Sequence, residues 1–313
     1  MMGEYMKLSI IIPMLNEAGN VSNIYAQIKH SLKKIKYEII FVNDGSVDNT
    51  ETELNKIYKA DNSVKIIHFS RNFGKDAAIY AGMKVANAPY TAIIDGDMQQ
   101  HPKYLVEMYN YLEKNKSCDQ VCMVPAKRKN MSLIKGLGGK LFYRLINHIS
   151  GVKFRKDASD FRMFRNNVKE AVLSLTESNR FSKGLFNWVG FNTHSLTYQV
   201  EPRKYGKTKF NLKKSFNYAL IGIIDYAENP LNMVTKIGIL SSLLGFGGLI
   251  YLIIKSIIIG HIYHELFIVL TVVLIFLGIN LLGISFICLY LARMQAEIKK
   301  RPIYIIKETK GIK

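Results

Sequence analysis

The sequence predicts an α/β fold, a mostly parallel, Rossmann-like sheet covered by helices on both faces, with a hairpin of two transmembrane helices toward its C-terminal end. Three observations predict it. Short apolar runs alternate with segments of helical spacing from Lys7 to Asp97. Polar residues gather where those apolar runs stop. Residues 237–292 are almost wholly apolar, whereas 1–230 read as ordinary mixed sequence.

The elements follow in order. Residues 7–12 form a first strand that ends at Pro13. Val21, Ile24, Ile28, Leu32 and Ile35 recur at helical spacing over 19–35. Residues 37–42 form a second strand, closed by the turn sequence Asn43-Asp44-Gly45-Ser46. A helix over about 48–60 follows, then a strand at Val64–Phe69 and a helix from Lys75 to Ala86. The fourth strand, Tyr90–Ile94, runs into Asp95-Gly96-Asp97. Beyond Pro102 the pattern loosens. Segments 133–149 and 211–227 are basic and amphipathic, suited either to a bilayer surface or to packing on the sheet.

Ile237–Ile254 is eighteen residues without a charge, and Leu266–Leu291 is a longer apolar run. Each is long enough to cross about 30 Å of hydrocarbon. Lysines and arginines flank the pair, while the short loop Gly260–Glu265 has none. The positive-inside rule then puts both termini in the cytoplasm, at the cell membrane. Leu8–Leu15 is too short for a signal peptide and contains Pro13, so the N-terminal domain is expected to stay cytoplasmic. In the first span, Ser241, Gly245 and Gly248 would let a neighbouring helix approach closely. Asn280 is polar within the second and suits a bond across helices, lipid or a partner subunit, so a homo-oligomer is compatible.

The formal charge is +19, from 43 Lys/Arg and 24 Asp/Glu. The excess is local: Pro125–Glu170 holds twelve Lys/Arg against three Asp/Glu, and Gln199–Ser215 six against one. Beside a membrane anchor, and with no nucleic-acid motif in sight, this points to an anionic membrane or a phosphate-bearing substrate rather than nucleic acid. Cys118, Cys122 and Cys288 lack the partners of a zinc site and read as free thiols.

In parallel sheets ligands bind beyond the carboxyl ends of the strands. Here those ends carry Asn16 and Glu17, then Asp44, then Arg71 and Lys75, then Asp95 and Asp97. Asp95-Gly96-Asp97 alone is ordinary turn chemistry. Set among these strand ends, it suits a hard divalent cation, Mg²⁺ or Mn²⁺, that also holds a diphosphate. Gln99 is placed to add an amide oxygen, while His101, next to Pro102, suits the start of a helix. Lys135–Lys140 lacks phosphate-loop spacing. Asp157 and Asp160 stand in a basic stretch, as a general base or as structural partners of Arg155 or Arg162. Arg128, Arg144, Arg203 and Lys209 are the cations suited to an acceptor phosphate.

SIIIPMLNE (9–17), FVNDGS (41–46), FSRNFGKDAA (69–78), IDGDMQ (94–99), DASDFRMF (157–164), NRFSKGLFNWVGF (179–191) and RKYGKTKF (203–210) together resemble glycosyltransferase family 2. Within it the chain is most similar to the polyprenyl-phosphate enzymes of the bactoprenol glucosyltransferase type, and more distantly to dolichyl-phosphate mannosyltransferases. The resemblance implies a GT-A fold for the domain over 1–210; the apolar and basic patterning adds a juxtamembrane segment 211–236, spans at 237–259 and 266–291, and a basic cytoplasmic tail 293–313. It implies inverting, metal-dependent transfer of a sugar from a nucleotide sugar to a polyprenyl phosphate. UDP-glucose is the first donor, with UDP-GlcNAc, a UDP-aminoarabinose derivative and GDP-mannose as alternatives. By motif position, Pro13, Glu17, Asp44 and Asp95 would hold the nucleotide. Asp97 and Gln99, with Asp95, would hold the metal and diphosphate. Arg128, Arg203 and Lys209 would hold the acceptor phosphate, and Asp97 and Asp157 would be the catalytic acids. The chain departs from the family in reading DGDMQQHP where relatives have D-A-D-L-Q-D-P-P, and VPAKRKN where they have a Gly-x-Arg run. Rival readings are a processive polysaccharide synthase, which carries a QxxRW-type motif and more spans, and a non-catalytic lipid-binding scaffold.

Overall fold

A computed structural model describes residues 6–126, 159–177, 180–202, 230–259 and 263–312. The two amphipathic segments, Arg128, Arg144, Asp157, Arg203 and Lys209 lie outside the described residues. The rest falls into two compact units. One holds the N-terminal region together with the last residues from Pro302; the other holds the two apolar helices.

Among the described residues, the first unit is built on one eight-stranded sheet. Its strands are β1 (Leu8–Met14), β2 (Tyr37–Asn43), β3 (Val64–Phe69), β4 (Tyr90–Ile93), β5 (Gln120–Pro125), β6 (Arg162–Arg165), β7 (Thr193–Tyr198) and β8 (Ile306–Lys310). The spatial order is β7-β5-β6-β4-β1-β2-β3-β8. β1 pairs in parallel with β2 and β4, and β2 with β3. β6 runs antiparallel between β4 and β5, and β8 antiparallel along β3. The helices are α1 (Ala18–Ser31), α2 (Thr50–Ala60), α3 (Lys75–Val85), α4 (Lys103–Lys114), α5 (Asn166–Ser174) and α6 (Ser182–Trp188).

The central strands read as unbroken apolar runs because helices cover both faces. Ile10, Ile11, Ile12, Ile39, Ile40 and Phe41 are all fully buried. Each such side chain contributes about 1.5–3 kcal/mol relative to exposure. The helices bury single stripes: Val21, Ile24 and Ile28 on α1, and Leu105, Met108 and Leu112 on α4. Pro13 does not end its strand as the sequence suggested. It stays in register opposite Val42, and it fits because pairing with β4 has already stopped at Ile11.

The second unit contains α7 (Pro230–Ile259) and α8 (Tyr263–Ile298). Gly238–Lys255 (18 residues) and Ile268–Ile298 (31 residues) are long and apolar enough to cross a membrane. Their large side chains are exposed: Phe246 is 74% exposed and Ile257 79%. Gly245 faces the Phe276 ring, as expected of a close helix contact, and Ser241 is buried, while no side chain crowds Gly248. The Asn280 side chain donates to the Phe276 carbonyl of its own helix, 2.9 Å away.

The region after the second apolar run contains more than the basic tail read from composition. α8 runs to Ile298, and β8 joins the sheet of the first unit.

Candidate active site

The carboxyl ends of β1 to β4 open onto one cleft of about 360 Å³, whose lining includes Pro13, Glu17, Asp44, Lys75, Asp95 and Asp97. Five residues proposed from sequence for the nucleotide and metal are therefore together. Gln99 lies two residues beyond Asp97, and its backbone N–H donates to the Asp97 carboxylate at 3.1 Å.

Two glycines let the loops approach this closely. Gly45 has a φ of +65°, and a Cβ there would run into the backbone of Arg71 and Asn72. The turn after β2 thus touches the loop after β3. At Gly96 a Cβ would strike the Met14 sulfur, so the turn between the two aspartates lies directly against β1. Met98, next along, is held at a φ of 64°, a conformation side chains avoid, and is 1% exposed.

Asp44 is 3% exposed. Its carboxylate accepts the N–H groups of Phe73 at 2.6 Å and Gly74 at 3.0 Å. Burial pushes its carboxyl upward in pKa, against those two donors and Arg71. Glu17 is 8% exposed and accepts from the Asn20 amide at 2.6 Å, while its own N–H donates to Thr50.

Lys75 was visible in sequence as a cation at a strand end, but its partners were not. Its ammonium lies 2.6 Å from Asp95 and 2.8 Å from Asp160. Burial disfavours its charge, yet Asp160 and Asp95 outweigh that and hold it well above the usual lysine range. Burial likewise opposes ionisation of Asp160, and Lys75 and Lys183 override it, holding the carboxyl well below the carboxylate range. Asp160 therefore pairs with Lys75, where the sequence offered Arg155 or Arg162. The Arg162 guanidinium instead donates to the Ser159 carbonyl and lies over the Phe186 ring. Neighbouring Asp76 is raised by burial and by Asp160, and accepts the Ser182 N–H, tying the start of α6 to the start of α3.

Gln100 is a site residue that sequence reading passed over. It is 5% exposed, accepts the Asp95 N–H at 2.9 Å and donates to the Asp95 carboxylate at 3.0 Å. Tyr198 is another: burial, then the charges of Asp95 and Asp97, push its hydroxyl up. Neither stands in a pattern that distinguishes it from a core glutamine or tyrosine. His101 serves the start of α4, accepting the Lys103 N–H at 3.0 Å.

The oxygens of Asp95, Asp97 and Gln99 fit a hard divalent cation. One oxygen of Asp95 already faces the Lys75 ammonium and the other the Gln100 amide. Asp95 is thus held on both of its oxygens, next to Asp97 and Gln99.

The sequence matches the family described as Glycosyl transferase family 2 over residues 9–173. An uncharacterized glycosyltransferase of Synechocystis sp. is 35% identical, covering 98% of this chain and 96% of its own length. A prophage bactoprenol glucosyl transferase homolog of Escherichia coli is 34% identical over 97% of this chain and 100% of its own. The bactoprenol glucosyl transferase of Shigella phage SfII is 33% identical over 97% and 98%. In fold the chain is similar to glucosyl-3-phosphoglycerate synthase of Mycobacterium tuberculosis, solved with Mn²⁺, UDP and glucosyl-3-phosphoglycerate. The TM-score is 0.53 at 16% identity, over 70% of this chain and 78% of that one. The sheet is thus GT-A-like, and matches along nearly the whole length make this chain a glycosyltransferase that belongs to glycosyl transferase family 2.

Proposed function

We propose that the protein transfers glucose from UDP-glucose to the phosphate of undecaprenyl or a related polyprenyl phosphate, at the cytoplasmic face of a membrane that its two apolar helices cross. The observation that carries this reading is the Asp95-Gly96-Asp97 turn, opening on a cleft shared with Asp44 and Glu17. Supporting it are the names of the relatives, bactoprenol glucosyl transferases in E. coli and Shigella phage SfII, and the UDP-glucose bound with Mn²⁺ in a structural neighbour.

In this reading Asp44, Glu17, Pro13 and Asp95 seat the nucleotide, while Asp97 and Gln99 hold Mg²⁺ or Mn²⁺. When bound, the cation neutralises charge building on the departing diphosphate. A phosphate oxygen of the acceptor attacks the anomeric carbon, that carbon's bond to the UDP oxygen breaks, and UDP leaves with the electron pair. The configuration inverts. A phosphate acceptor is largely dianionic at neutral pH, so it needs cationic positioning more than a strong base. Arg128, Arg203 and Lys209 are proposed for that task, and Asp157 as the catalytic acid of its motif. The product serves a cell-surface glycan.

A donor panel tests this. UDP-glucose, UDP-GlcNAc, a UDP-aminoarabinose derivative and GDP-mannose are each offered with undecaprenyl phosphate, and extractable glycolipid is measured. UDP-glucose is expected to give product, lost in excess EDTA and in Asp97→Ala, with Asp97→Ala retaining the wild-type melting temperature. Transfer only from another donor would overturn the choice of glucose, and full activity in EDTA would overturn the metal-dependent mechanism.

A further inference from the structure

The segment that follows the apolar helices makes contacts that edge-covering alone does not require. The Tyr304 ring stacks on Phe69, with centroids 4.9 Å apart and planes 13° from parallel. Phe69 in turn meets Phe73 edge-on at 5.8 Å, and the Arg71 guanidinium lies 4.1 Å from the Phe73 ring centre. Tyr304 also meets Tyr80 of α3 at 6.3 Å. The Ser70 N–H donates to the Ile305 carbonyl at 3.0 Å. Between His68 and Phe69 the β3–β8 register shifts, which re-aims the end of β3.

These contacts converge on residues 70–74. On its inner side the same loop gives the Phe73 and Gly74 N–H groups to Asp44, and Asn72 and Gly74 line the cleft. The loop is thus held from two directions, by Asp44 within and, without, by Ile305 directly and by Tyr304 through Phe69.

We propose that the C-terminal segment around Tyr304 is a positioning element of the donor site, bracing the loop 70–74 so that Asp44 and the cleft wall are set for a nucleoside diphosphate. This rests on the reading of the cleft as the donor site. A stacked aromatic pair is worth about 0.5–1.5 kcal/mol beyond area burial, so loosening the brace costs up to about tenfold in affinity. Coupling between sites is reciprocal: a bound nucleotide protects β8 as much as β8 favours the nucleotide.

The test uses the full chain in detergent, with Mn²⁺ and UDP as the probe. Tyr304→Ala is expected to weaken UDP binding by about two- to tenfold by calorimetry and to raise the donor KM with kcat within about twofold. Tyr304→Phe, which keeps the stacking ring, should bind as wild type. Thr309→Ala, at the far end of β8, controls for general weakening of the strand. Hydrogen exchange of the 70–74 amides, measured without nucleotide, should speed up in Tyr304→Ala and stay slow in Thr309→Ala. Unchanged exchange and UDP affinity in Tyr304→Ala would overturn the brace, as would an equal loss in Thr309→Ala. A wild-type chain that binds no UDP would sink the donor-site reading, and loop exchange then decides the brace by itself.

Discussion

At the scale of single residues, Lys75 and His68 show what local patterns leave out. Lys75 pairs with both Asp95 and Asp160, which come from distant parts of the chain. Removing one partner from a fully buried ion pair costs about 3–5 kcal/mol. The Lys75 side chain is 39% exposed, so for Lys75→Met we expect a smaller loss, about 1–3 kcal/mol, read from denaturant midpoints, with Lys75→Arg less affected. His68 is 1% exposed, its Nδ1 meets the Asn43 amide at 3.1 Å, and its Nε2 has no hydrogen-bond partner among the described residues. Glu51 on α2 and Glu308 on β8 bring their carboxylates near it, and Lys307 and Lys310 already bond those two acids. Burial lowers the His68 pKa, outweighing Glu51 and Glu308, with Lys310 and Lys307 adding to the fall. The unfolded chain therefore takes up a proton that the folded chain refuses. The contribution of His68 to stability is full above the unfolded value near 6.5 and is lost as pH falls through it toward the lower folded value. Melting temperature should drop between pH 7.5 and 5.5 more steeply in wild type than in His68→Gln. The carboxylates of the cleft were legible because each follows an apolar run at a strand end. Gln100, Tyr198 and the Asp160–Lys75 pair were not, since their meaning lies in partners that only the fold brings near.

At the scale of elements, legibility followed periodicity. The strand at Val64–Phe69 was expected with the bounds it has, and the first two helices fell within a few residues. Those segments alternate regularly and end at turn residues. After α4 the sheet turns mixed: β6 inserts antiparallel between β4 and β5, and β6 and α5 abut without an intervening loop. A four-residue strand such as RMFR carries two arginines and no clear period. Its arginines are used structurally, Arg165 donating to the carbonyls of Cys118 and Leu112. The turn after β4 makes its own prediction. Gly96→Ala forces a methyl against the Met14 sulfur and near the Pro13 carbonyl. Overpacking of this kind costs about 1–3 kcal/mol. We expect that loss in thermal unfolding, together with weaker Mn²⁺ binding by calorimetry, because the turn carries both Asp95 and Asp97. Unchanged metal affinity would show that the turn tolerates displacement from β1.

At the scale of the whole molecule, apolar length made the helices legible, whereas β8 was hidden. IKETK has neither an apolar face nor a turn signal, and exposed Lys and Glu suit an edge strand that must not recruit other chains. Its pairing with β3 puts the chain's two ends in one sheet. If both apolar helices cross a membrane, as proposed, the chain returns to the side it left, so thiol-labelling of single cysteines at positions 7 and 312 should give the same sidedness in sealed vesicles. Opposite labelling would overturn the two-span reading. The same pairing bears on synthesis. A ribosome that has released everything through Arg301 has released both apolar helices, yet β3, with its apolar VKIIHF run, still lacks its outer neighbour. Until residues 302–313 emerge, that open edge is a template for any passing strand. A chain cut short before Ile306 would therefore keep both apolar helices but lose the strand that covers β3, and is expected to aggregate through that edge.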